Sequence, residues 1–152
     1  MSIIVNTNSY ITVLEADALV ASLYISTDPS RVAWNALEDA DKGVLLVRSL
    51  KELERLRVTG CKTDITQVLA FPRNANTVVP DLVKEAQVVN ALAILTTASS
   101  VTGSPVSRGV SSYSIDDLSE TFAKGAEVTL LVTSSEARRM MWVWTSGGFD
   151  II

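Results

Sequence analysis

The chain contains no histidine. That removes the commonest general base and the commonest metal ligand together. It has one cysteine, Cys61, which excludes an internal disulfide and any Cys–His nucleophilic pair. A lone thiol fits a reducing compartment. No GxGxxG run and no P-loop is present, so nucleotide phosphates have no backbone cradle. Aromatic residues are 6% of the chain, a poor supply of stacking platforms for single-stranded nucleic acid. Lys and Arg number 13 against 17 Asp and Glu, a net charge of −4, and no basic run occurs. Broad affinity for phosphate backbones is built on clustered Lys and Arg and is not expected here. The opening MSIIVNTNSY has neither a basic n-region nor a long apolar core, so no signal peptide is expected. No apolar run reaches the roughly 20 residues of a membrane span. These absences leave a protein without an assigned catalytic, cofactor-binding or metal-binding residue, expected in a cytoplasm or in something assembled in one. The acidic pairs Asp39/Asp41 and Asp116/Asp117 lack the glycine and terminal glutamate of an EF-hand loop. Asp39 reads as a helix cap and Asp116/Asp117 as a solvated turn.

What is present is a folded domain's worth of apolar residues: 47% hydrophobic in 152 residues, enough for one core. The organising stretch is Val79–Ser99. Pro80 is placed as a first helical residue and Asp81 puts negative charge in the first turn. From Val88 to Leu95 the run is apolar on every face except at Asn90, which predicts a buried central helix.

The rest of the chain should pack on that helix. Ser2–Ile11, polar and β-branched, reads as an extended arm or edge strand. Thr12 to Glu15 fits a capping box opening a helix over Val13–Ile25, with Leu14, Ala18, Ala21 and Leu23/Tyr24 as its buried stripe. Asp-Pro punctuates the turn Ser26–Ser30, and Val32–Leu37 is a short helical segment carrying Trp34. A second long helix is predicted over Ala40–Val58. Its apolar face is Val44, Val47, Leu50, Leu53, Leu56 and Val58; its polar face is Arg48, Lys51, Glu52 and Arg55. Gly60 reads as its C-terminal stop. Cys61–Asn76 reads as an ordered loop with Phe71 plugging it onto the core. After Ser99 the composition changes. Ser99–Ser114 has no helical period and alternates weakly at Val106–Arg108 and Val110–Tyr113, as a β-hairpin or β-arm would. Thr133 to Glu136 fits another capping box, opening a helix over Ser135–Trp144.

Three features exceed what one small body needs. The unpatterned stretch Ser99–Ser114 is long for a loop in a helical chain, and reads either as a disordered loop or as a β-arm that pairs with a neighbouring subunit. Met140, Met141, Trp142 and Trp144 read as core, yet Trp and Met beside Arg138 and Arg139 also match what protein interfaces enrich. Gly147-Gly148 followed by Phe149-Asp-Ile-Ile152 is an apolar tip of the kind that adds to a partner's sheet edge. The fold class is mainly α: one domain over residues 1–152, a small bundle around one central buried helix. It carries a β-arm or hairpin insertion over about 99–114, and a C-terminal helix and extended tail over about 133–152.

The order of landmarks resembles a known family. NSYITVLEADALVASL is similar to the "YVS-x-x-EADAY" opening of the head–tail adaptor (connector) proteins of tailed phages. TDPSRVAWNALEDADKGVLLVRS resembles that family's Trp followed by an acidic "D-x-DK" helix start. The sharpest match is Gly60–Arg73, close to "G-x-K-x-x-x-x-Q-x-L-x-FPR", followed by Val79–Ala86, similar to "IP-x-x-VKEA". Together these cover roughly Tyr10–Leu95. The resemblance implies a non-catalytic adaptor assembled as a homo-oligomeric, dodecameric ring beneath the portal protein of a capsid, in the virion neck, after assembly in the host bacterial cytoplasm. Genome DNA would pass through the channel without specific binding, and a neck or tail-completion protein would dock below. On that reading Val106, Arg108, Val110 and Tyr113 face the adjacent subunit. Arg138, Arg139, Trp142, Trp144, Phe149, Ile151 and Ile152 face the portal or the adjacent ring, the two arginines meeting acidic partner groups. Some relatives are labelled DnaT-like single-stranded-DNA-binding proteins, which is the alternative reading; the charge balance and the sparse aromatics weigh against it.

Overall fold

A computed structural model of the chain describes residues 2–99, 112–115, 118–121 and 132–145, with only the backbone given for residues 98–99 and the two strands. It is mainly helical, in the order α1 (Val13–Leu23), α2 (Pro29–Asn35), α3 (Asp39–Leu53), α4 (Asp81–Ser99), β1 (Ser112–Ile115), β2 (Leu118–Thr121), α5 (Ser135–Met140) and α6 (Trp142–Thr145).

Helix α4 is the central element. It begins one residue later than the sequence suggests: the Pro80 carbonyl accepts from Val83 and Lys84, which places Pro80 just ahead of the first turn. Residues 86–92 are all buried. Two hydrophobic clusters meet on this helix. One joins Val83, Ala86 and Val89 to Tyr10, Leu50, Leu53, Phe71 and Met141. The other joins Val88, Ala91 and Leu92 to Ile11, Ala16, Val20, Trp34 and Leu46. Burying side chains of this size stabilises by about 1.5–3 kcal/mol each.

The capping box at Thr12 is formed: its hydroxyl accepts from Glu15 N–H at 3.2 Å and its own N–H donates to Glu15 at 2.9 Å. The buried face of α1 is not the expected one. Ala16 and Val20 are buried, with Val13, Leu19 and Tyr24 packed beside them. Leu14 and Ile25 are 80% and 73% exposed, and Ala18, Ala21 and Leu23 are also outside. The apolar residues of this helix occupy both faces, so periodicity alone does not choose between them. A similar exchange occurs on α3, where Leu46 is buried and Val44 is half exposed. That helix stops at Leu53, short of the predicted Val58, with Glu38 rather than Asp39 at its N-cap.

The N-terminal segment is a tight turn, neither arm nor edge strand. Asn6 has a φ of 60°, and the Ile4 carbonyl accepts from Thr7 and Asn8. Tyr10 and Ile11, which follow it, are buried in the core. A hairpin pairs β1 antiparallel with β2, Tyr113 opposite Glu120 and Ile115 opposite Leu118; residues 100–111 of the expected arm lie outside the described residues. Helix α5 is capped by Ser134, whose hydroxyl accepts from Ala137 N–H at 3.1 Å, rather than by Thr133.

Candidate assembly surfaces

The residues that carry the family resemblance build a loop that staples itself. Arg73, nearly buried, directs its guanidinium at main-chain carbonyls: Thr59 at 2.9 Å, Ala70 at 3.1 Å, Val58 at 3.4 Å, and Gly60. Gln67 donates to the Leu69 and Pro72 carbonyls, each at 2.9 Å, while accepting from Asp64 N–H. Lys62 donates to the Gln67 carbonyl at 3.1 Å. Gly60 holds a φ of +84°, with the Asn74 side chain so close that a Cβ would meet its Oδ1 at 2.3 Å. Phe71, ahead of a cis Pro72, fills the core edge-on to Tyr10 at 6.1 Å and to Trp144 at 5.3 Å between ring centroids. The expected plug is therefore in place. Gly60, Gln67, Phe71 and Arg73 are occupied in holding the loop's shape, while Ile65 and Val68 between them are exposed.

Buried polar groups then tie both ends of the described chain to α3 and α4. Gln87 accepts from Tyr10 N–H at 3.0 Å and donates to Ser9 Oγ and the Leu46 carbonyl at 2.9 Å. Asn90 donates to Glu52 at 3.0 Å and accepts from Ser134 N–H at 2.8 Å. Glu52 also accepts from Thr133 N–H at 2.9 Å. Glu54 accepts from the Tyr10 hydroxyl and from Ala70 N–H. Burial first, then this carboxylate, push the Tyr10 hydroxyl pKa well above its ordinary value. Asp17 receives the Trp34 indole N–H at 2.7 Å and pairs with Lys42 at 3.0 Å. These are structural links, each satisfied within the fold.

The outer surface is where a partner can act. Among the described residues, Leu14, Ile25, Val32, Ile65, Val68, Val78, Trp142 and Val143 are large, apolar and more than half exposed. Arg138 and Arg139 lie exposed on α5, one turn from Trp142, which is 64% exposed. Trp144 is held differently: it packs on Phe71, and its carbonyl accepts from Thr59 N–H at 2.7 Å. Met141 is core, as one reading of that cluster expected. Tyr113 lies on β1. Val106, Arg108, Val110, Asp116, Asp117, Phe149, Ile151 and Ile152 lie outside the described residues. A groove of about 380 Å³ between α1 and the start of α4 is lined by Ala18 and Leu19 together with Glu15, Asp81, Lys84 and Glu85.

Cys61 is exposed, and among the described residues no group of three or more Cys, Asp or Glu is arranged to hold a metal ion. No helix among them is long and apolar enough to cross a membrane. Sequence reasoning overlooked Gln87, Glu54 and Asp17, and placed on the outer polar face Glu52, which instead bonds Asn90 and Thr133. A signal existed for Gln87, which stands one turn before Asn90 on the same side of a helix that is otherwise apolar there.

No curated protein and no solved structure matches the chain significantly. A family profile does, over residues 2–149, nearly the whole sequence. By that match the chain belongs to the family described as "Putative DnaT-like ssDNA binding protein".

Proposed function

We propose that the protein is a structural adaptor: a homo-oligomeric ring at the head–tail junction of a tailed phage, docked on the portal and carrying the DNA channel toward the tail. The observation that carries this reading is the exposed apolar surface. A domain that buries Tyr10, Trp34 and Phe71 so fully still leaves Leu14, Ile25, Ile65 and Trp142 to solvent. Trp142 and Val143 adjoin on one of these surfaces, and contiguous exposed apolar area marks protein–protein contact. The order of motifs from Tyr10 to Leu95 supports the same reading. The acidic balance suits a lumen through which DNA slides without sticking.

The family description favours a second reading, binding of single-stranded DNA. One feature of the fold supports it: Arg48 and Lys51 are exposed together on α3, three residues apart on one face, and exposed Arg55 follows just past the helix end. Against it, Trp34, Tyr10 and Phe71 are buried and unable to stack on bases.

Two measurements separate the readings. Negative-stain microscopy of the full chain, alone and with a portal ring, should show closed rings or a ring stacked on the portal. Fluorescence anisotropy with a single-stranded oligonucleotide should show no saturable binding near physiological salt. Saturable binding that falls steeply with salt, without rings or portal association, overturns the adaptor reading and establishes the other.

A further inference from the structure

Two surfaces on this chain complement each other and share no element. The first is the groove between α1 and the start of α4. Its wall is apolar, at Ala18 and Leu19, and Leu14 projects 80% exposed from the same helix. Its rim carries the carboxylates of Glu15, Asp81 and Glu85, offset by one cation, Lys84. The second is the outer side of α5–α6. There Arg138 and Arg139 are exposed, followed within one turn by Trp142 and Val143, 64% and 67% exposed. Glu136 is the single acidic residue on that short helix.

We infer that the α5–α6 face of one copy seats in the α1–α4 groove of a second copy. Trp142 and Val143 cover Leu14 and Ala18, and the two arginines meet the carboxylate rim. The occupant is another copy because the basic, apolar pattern that the groove lacks is the one this chain displays elsewhere. Tryptophan and arginine are also the residues that most often anchor interfaces. A patch that fits a different patch of the same chain makes a heterologous, head-to-tail contact, which closes into a ring when the rotation allows it. The inference deepens the proposed adaptor role by naming the contact between neighbours, and it rests on that role for the ring.

Charge reversal in the full-length chain tests it, read by sedimentation velocity over a range of concentrations. Arg138→Glu with Arg139→Glu on one chain, or Asp81→Lys with Glu85→Lys on another, should each weaken self-association by about tenfold or more. An equimolar mixture of the two reversed chains should recover it, because each then offers the other a complementary face. Trp142→Ser should weaken association in the same way without altering charge, and thermal melts should show all three variants folded. A wild-type chain that associates, with both reversals indifferent, overturns this contact and leaves the ring to other surfaces. A wild-type chain that stays monomeric throughout overturns the contact and leaves the adaptor role to the portal experiment.

Discussion

Asn90 Oδ1 accepts the main-chain N–H of Ser134 at 2.8 Å, 44 residues away, and both residues are buried. The other end of the same amide donates to Glu52 at 3.0 Å. One side chain on the central helix thus anchors the first residue of the C-terminal helical unit and a carboxylate of α3. The buried Ser134 N–H has no water to turn to, so the link is costly to cut.

Asn90→Leu keeps the size and removes both bonds. The Ser134 N–H loses its partner in a dry environment, and Glu52 loses a donor. The expected loss is about 2–3 kcal/mol in urea denaturation, with the far-ultraviolet spectrum retained. A variant as stable as the wild type would show that this link does not hold α5 to the core.

Tyr10→Phe deletes the hydroxyl that donates to Glu54 and accepts Phe71 N–H at 3.2 Å. About 1–3 kcal/mol should be lost. The raised folded pKa of Tyr10 makes a second outcome. Its stabilisation is complete below the ordinary tyrosine value of 10.0 and declines as the pH rises above it. In an ultraviolet titration of the 3 tyrosines, one should ionise only as the chain unfolds, and Tyr10→Phe should abolish that phase.

Glu15 is held below its ordinary pKa of 4.5, first by the Thr12 N–H and then by its hydroxyl. Asp64 is lowered likewise by Thr66 from 3.8. A carboxylate depressed by folding stabilises above its ordinary value and loses that contribution as the pH falls through the folded one. Melting temperature should therefore decline on acidification through and below about pH 4.5. Glu15→Gln should make that decline shallower; an unchanged slope would remove the capping box from the account.

Gly60→Ala meets two obstacles. Its φ of +84° disfavours any Cβ, and the space is filled by Asn74, whose Oδ1 accepts Cys61 N–H at 3.2 Å. A loss of about 1–2 kcal/mol is expected from the backbone alone. Faster proteolysis within Cys61–Asn76 than in wild type would locate the damage in this loop.

Much of the helical framework is readable because its signals are local. Thr12 with Glu15 is a cap whose partners lie within a turn; Asp28 before Pro29 caps α2 in the same way, although Asp-Pro reads in the sequence as a turn and the helix begins three residues ahead of the expected Val32. Pro80 and Asp81 start the central helix for the same reason. The loop motif from Gly60 to Arg73 was visible as a pattern, although its meaning, a set of mutual hydrogen bonds, required coordinates. The face of α1 was misread because Leu14, Ala18 and Ala21 form as good a stripe as Ala16 and Val20. The start of the C-terminal unit at Ser135 was read correctly, but its cap was misread by one residue. Ser134 and Thr133 are equally good caps, and Glu52 claims Thr133.

By itself the sequence determined that this chain is helical, organised on Val79–Ser99, and without histidine chemistry. Composition and short-range spacing settle such matters, since capping and apolar periodicity act within a few residues. Tertiary structure alone decided which apolar stripe turns inward, and that Gln87 and Asn90 are bolts rather than exceptions. It also decided that Leu14 and Trp142 remain on the outside. Those outcomes depend on groups far apart in the chain, and burial is set by what comes to lie beside a residue.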